Sequence, residues 1–94
     1  MRKSTHSPEY ALVRRQLLLI RGGARLSQRE LASRLRVPHS WVAKVESGER
    51  RIDIVEFGWF CEGCDVDPLK VAAKLFARTS PASPSRRDRN GGRA

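Results

Sequence analysis

An all-α protein of five helices is what this sequence predicts, and three features carry the prediction. Apolar residues return every three or four positions in five separate segments, the spacing that lines one face of a helix. Three of these segments open on helix-start signals: Ser7 before Pro8 and Glu9, Ser27 three residues before Glu30, and Asp53 three residues before Glu56. No segment alternates polar and apolar residues in the two-residue rhythm of a strand.

Ninety-four residues allow one small domain, with a core so limited that self-association is a natural supplement. Nineteen basic residues against ten acidic ones give a formal charge of +9, which suits a polyanionic partner such as nucleic acid. A membrane surface or plain solubility would also use such charge, so charge by itself does not choose among them. The longest apolar run, Leu17 to Ile20, is four residues, far short of a membrane span or a signal-peptide core. A cytoplasmic protein with no membrane partner is therefore expected.

Residues 1–7 are polar and basic and are expected to form a flexible N-terminus ahead of a domain over 8–78. The first helix starts at Pro8, with Ser7 as its capping hydroxyl and Glu9 in its first turn. Val13, Leu17 and Ile20 supply its inner face, and Gly22-Gly23 is expected to end it. Leu18 and Leu19 widen the stripe beyond one packing surface, so one of them is expected to be partly exposed or to lie in a contact.

The second helix opens on the capping box of Ser27 and Glu30: the hydroxyl accepts from the Glu30 amide and the carboxylate reaches back to the Ser27 amide. Leu31, Ala32 and Leu35 form its apolar face. Pro38 disfavours a helical Val37, so this helix ends near Leu35 or Arg36. A third helix begins at once. Val42 and Val45 point inward in it, His39, Ser40, Trp41 and Lys44 are left on the other side, and Ser47 with Gly48 ends it.

After a basic loop, Glu49-Arg50-Arg51-Ile52, the cap at Asp53 and Glu56 opens the fourth helix, with Ile54, Phe57, Phe60, Cys61 and Cys64 as its expected buried stripe. Gly58 and Gly63 each cost about 1 kcal/mol relative to alanine within a helix, which implies the close approach of a neighbouring backbone. Asp65 suits the left-handed residue that ends this helix. Asp67-Pro68 starts the last helix, whose apolar residues are Leu69, Ala72, Ala73, Leu75 and Phe76. Residues 79–94 carry proline, serine, glycine and arginine without apolar pattern, and are expected to be a disordered basic tail. Its four arginines against one aspartate suit sequence-independent phosphate contact, or simply a solvated terminus.

Cys61 and Cys64 have the spacing of a metal or redox pair, but zinc needs four ligands, and His6 and His39 lie in a tail and on the outward face of the third helix. A redox pair belongs beside a strand, and no strand is signalled. Two small buried residues at i and i+3 are expected instead.

Leu26-Ser27-Gln28, Glu30-Leu31-Ala32, Val42, Lys44-Val45-Glu46 and Gly48, in this order and spacing, resemble the Cro/C1-type (XRE-like) helix-turn-helix DNA-binding domain of bacterial and phage regulators. The resemblance covers roughly residues 12 to 75 and implies a compact five-helix, lambda-repressor-like domain with its motif at about 27–46. It places His39, Ser40 and Lys44 at the positions that face bases. Lys44 can donate to guanine O6 and N7, Ser40 can donate or accept, and His39 can do either according to its tautomer. Trp41 beside them admits two roles, packing on a thymine methyl or sugar, or folding back as core.

Phosphate contacts are expected from Ser27, Gln28 and the amides at the start of the second helix, then from Arg50 and Arg51, with Arg25 a further candidate. The resemblance also implies an ion pair between Arg21 and Glu46. The chain departs from the family at two points: Arg36 stands where glycine is usual, and Pro38 replaces a capping serine or threonine. Val55 and Trp59, one turn apart where the family usually has polar residues, are a candidate dimer seam, and Trp59 otherwise reads as a partly covered surface aromatic.

The expected function is a sequence-specific, DNA-binding transcriptional regulator of bacterial or mobile-element type, a homodimeric repressor that is nucleoid-associated when bound. The alternative is a helical interaction module such as an antitoxin or adaptor. No enzyme is expected, since no paired carboxylates, base-activated nucleophile or phosphate-cradling loop occurs. Nor is any cofactor, metal or small-molecule ligand expected.

Overall fold

The computed structural model describes residues 7–79. Five helices follow in order: α1 (Pro8–Gly23), α2 (Gln28–Leu35), α3 (His39–Ser47), α4 (Ile54–Gly63) and α5 (Pro68–Thr79). Among the described residues there is no strand, and no helix long and apolar enough to cross a membrane. Of the expected arm over 1–7 and tail over 79–94, residues 1–6 and 80–94 lie outside the described residues, while Ser7 caps α1 and Thr79 is the last residue of α5 rather than the first of a tail.

Side chains start four of the helices, the last being α5, where Asp67 Oδ1 accepts from the Leu69 amide at 2.9 Å. Ser7 Oγ accepts from the Tyr10 amide at 3.0 Å, with Pro8 at the first helical position. Both halves of the box form at α2, Glu30 N to Ser27 Oγ at 3.0 Å and Ser27 N to Glu30 Oε1 at 2.8 Å. The Ser27 amide, first among the causes, holds the Glu30 carboxyl below the usual carboxylate range. Asp53 and Glu56 repeat the arrangement at α4, at 2.8 and 3.0 Å.

Helix ends follow a less legible rule. α1 ends at Gly23, where the Gly22-Gly23 pair places its end, but neither glycine takes the left-handed position: the chain reverses two residues on, at Arg25, whose φ is 61°. Arg36 does the same after α2 at φ 59°, and Asp65 after α4 at φ 61°. In each case the next amide reaches back five residues: Leu26 to Arg21 O at 3.3 Å, Val37 to Ala32 O at 3.0 Å, and Val66 to Cys61 O at 3.0 Å. The left-handed geometry at Arg36 is therefore kept without glycine, at a cost of about 1–2 kcal/mol. Only α3 closes on glycine, Gly48 at φ 90°.

α2 packs on α3 and α4, while α1 runs behind α3, α4 and α5. Leu17, Leu31, Val42, Val45, Phe60 and Cys61 are fully buried between them. Cys64 is buried as well, and both thiols are free. Burial, with Cys64 as second cause, pushes the Cys61 thiol up to about 11, and burial raises Cys64 too. Neither is poised to react.

The structure corrects several expected inner faces. In α1 Tyr10 is buried and Val13 only half so, because the Tyr10 hydroxyl is drawn in to accept from the Ile52 amide at 3.0 Å. Leu18 and Leu19 are both exposed. Ile54, expected inside, is 73% exposed, because it is the first residue of α4 and projects beyond the turn that packs. In α5 the buried residues are Val71 and Leu75, one turn apart, whereas Leu69 and Phe76 stand outside.

The two glycines of α4 differ. A Cβ on Gly63 would lie 2.8 Å from Leu35 Cδ2 and 3.0 Å from Leu31 Cδ1, so what comes close is a pair of α2 side chains rather than a backbone. Nothing lies within 4 Å of a Cβ on Gly58, where close approach had been expected. Gly58→Ala is accordingly expected to raise stability by about 0.5–1 kcal/mol, the helix-propensity gain undiminished. Gly63→Ala is expected to lose that gain to crowding against the fully buried Leu31. Urea midpoints moving equally for the two variants would contradict the difference.

Candidate nucleic-acid interface

At ~100° per residue, the buried Val42 and Val45 fix the direction in which every other α3 side chain points. Ser40, Lys44 and Ser47 fall opposite them, and all three are exposed. His39, also exposed, lies on the edge towards α2, with the half-buried Ala43 one turn further along. Trp41 lies on the other edge. It is half-buried against the core, and the Arg50 guanidinium sits 5.5 Å from its ring centre. Of the two roles open to Trp41, the structure favours folding back.

Ala43 and Ser47 were missed in the sequence. Their signal was the spacing 39, 43, 47, which follows one side of a helix; Ala43 offers a methyl of the kind that meets a thymine methyl. Ser47 Oγ donates to the Lys44 carbonyl at 3.2 Å and accepts from the Glu49 amide at 3.3 Å, which ties its position to the helix end.

Glu46 anchors the helix from beneath. It is 4% exposed, and its carboxylate accepts from Arg21 Nε at 2.7 Å and Nη2 at 3.0 Å. Arg21 Nη1 donates to the Leu26 carbonyl at 2.9 Å, so one guanidinium joins α1, the α1–α2 turn and α3. The Glu46 hydrogen bonds raise the Arg21 pKa, with burial opposing. Arg14 Nε caps the end of α3 by donating to the Glu46 carbonyl at 3.2 Å, a contact across 32 residues that no local pattern announces. Gln28 Nε2 donates to Glu46 Oε1 at 2.8 Å, and Gln28 Oε1 lies 3.2 Å from His39 Nε2.

The loop arginines are less available than the sequence implied. Arg50 Nη1 and Nη2 grip both oxygens of Glu56 at 3.0 and 2.9 Å, and Nη1 also donates to the Arg51 carbonyl. This pair, then the Asp53 amide, holds the Glu56 carboxyl below the usual range and raises Arg50. Arg51 stacks over the Tyr10 ring at 4.5 Å. Arg50 is thus a brace between the loop and α4, at odds with its expected part as a free phosphate donor. Arg25 is exposed at the left-handed turn, while the Ser27 oxygen is taken up by its cap.

A helix-turn-helix domain model matches residues 12–73. A solved structure of an XRE-family like protein from Pseudomonas syringae pv. tomato str. DC3000 superposes with a TM-score of 0.75 at 43% identity, over 79% of this chain and 90% of that one. The chain belongs to the XRE-type helix-turn-helix family. No curated protein matches it. In helix-turn-helix terms, α2 and α3 are the two helices of the motif and residues 36–38 its corner. Pro38 caps α3 with no side-chain hydrogen bond, its carbonyl accepting from the Trp41 amide at 2.9 Å.

Proposed function

We propose that this helix-turn-helix protein is a sequence-specific DNA-binding transcriptional regulator that lays α3 in the major groove. The observation that carries the proposal is the α3 face itself. Ser40, Lys44 and Ser47 stand out opposite Val42 and Val45, with His39 at the edge, on a helix braced by a buried ion pair. Short polar groups on a rigid helix are what base-edge recognition requires, and the groove is wide enough to admit the helix. Lys44 donates to guanine, Ser40 donates or accepts, and His39 reads the base beside its ring. Arg25, Arg51 and the first amides of α2 touch phosphates, which sets position rather than sequence, while the Gln28 side chain, expected among them, is taken up by Glu46 and His39.

The regulator acts as a homodimer on two half-sites about 34 Å apart, one helical turn of duplex. Val55 and Trp59, 58% and 48% exposed and one turn apart on α4, form its seam. A Trp59→Glu variant is expected to sediment as a monomer; a mass equal to wild type would end the seam assignment. Occupancy of the half-sites excludes other proteins from the same duplex, so repression is the direct consequence. A bacterial or mobile-element setting suits this kind of domain.

The decisive test is titration of labelled duplex at two salt concentrations, after selection of bound fragments from random sequence. A palindrome should be recovered, and affinity should fall steeply with salt as counterions are released. Salt-insensitive or sequence-blind behaviour would favour the partner-binding adaptor instead.

A further inference from the structure

Four hydrogen bonds run from the buried ion pair to the outward edge of α3, and they fix which ring nitrogen of His39 carries the proton. Glu46 accepts twice from Arg21, at 2.7 and 3.0 Å. A carboxylate offers only lone pairs, so the Gln28 group 2.8 Å from Oε1 must be the amide nitrogen. That choice turns the amide oxygen of Gln28 the other way, to 3.2 Å from His39 Nε2. An amide oxygen also only accepts, so His39 Nε2 must donate. In the neutral ring Nδ1 is then left as a bare acceptor. The His39 ring is exposed and makes no other hydrogen bond among the described residues.

We propose that Glu46, acting through Gln28, locks neutral His39 with its proton on Nε2, so that Nδ1 reads a base carrying an exocyclic amino group, adenine or cytosine. The inference rests on α3 being the helix that enters the groove. In the major groove only adenine N6 and cytosine N4 donate; guanine and thymine present acceptors, which a bare Nδ1 repels. One hydrogen bond of this kind is worth about a three- to tenfold preference. Gln28 and Glu46 are positioning residues, and His39 makes the contact.

Two measurements test it. The first is nitrogen-resolved NMR of the free chain at about pH 8, where an ordinary imidazole is neutral. A His6→Asn variant removes the signals of the other histidine. The expected spectrum shows Nε2 protonated and Nδ1 bare; protonated Nδ1 overturns the relay. The second is fragment selection at the same pH with wild type, His39→Ala and Gln28→Met. His39→Ala should erase the preference at one base position, which identifies the base read, and wild type should select adenine or cytosine there. Gln28→Met should cut that preference below about twofold while leaving other positions as they were. Guanine or thymine at that position, or a preference untouched by Gln28→Met, overturns the proposal. Absence of binding to any duplex would instead remove the groove-reading assignment, while the ring spectrum still decides whether the relay exists.

Discussion

Replacing Glu46 by alanine is expected to lower stability by about 3 kcal/mol, the low end of the range for breaking a buried ion pair, and to weaken duplex binding at the same time. Glu46 is the acceptor for both Arg21 and Gln28, so its loss strips a carboxylate from a guanidinium whose side chain is only 20% exposed. Arg21 keeps its bond to the Leu26 carbonyl and some contact with water, which is why the loss stays at the low end. In a domain of this size such a change lowers the melting temperature by roughly 12–24 °C. Binding should weaken even at temperatures where the variant is still folded, because Gln28 and His39 lose the partner that orients them. Thermal unfolding followed by duplex titration at a low temperature checks both halves. An unchanged melting temperature would discard the role given to the pair.

Phe60→Ala is expected to cost about 3–5 kcal/mol, a large share of the 5–15 kcal/mol that a small domain typically possesses. Phe60 is the largest of the fully buried side chains and shares its core with Leu17 on α1, Leu31 on α2 and Val42 on α3. No other element can move in to fill the vacancy without losing its own contacts. Chemical denaturation of Phe60→Ala beside Phe60→Leu gives the test: the leucine variant should keep most of the stability, and the alanine variant's midpoint should fall by much the larger amount. Similar midpoints for the two would mean that the core is not closed around this ring.

Much of this architecture could be read from short stretches of sequence. The boxes at Ser27 and Asp53 depend on residues three apart, and both form as the spacing requires. Val42 and Val45 were sufficient to orient α3, since two adjacent inward positions define a helix face. The Arg21–Glu46 contact followed from the family resemblance rather than from any local pattern. What misled were the surplus apolar residues. Leu69, Phe76 and Ile54 have the same hydrophobicity as the residues that are buried, and only the placement of neighbouring helices leaves them outside. At the end of α1 the glycines told only part of the story: the helix ends at Gly23, yet the reversal is made by Arg25, because the bond from Leu26 back to Arg21 stabilises the turn there.

The sequence by itself determined where the helices begin, which face of each motif helix is apolar, and which polar groups α3 carries outward. Those properties depend on caps and periodicity within one turn of chain. Tertiary structure decided how those outward groups are held: Arg14 reaching the end of α3, Arg50 committed to Glu56, and Gln28 suspended between Glu46 and His39. Each joins residues on different elements, and the direction of a hydrogen bond is fixed only once all its partners are in place.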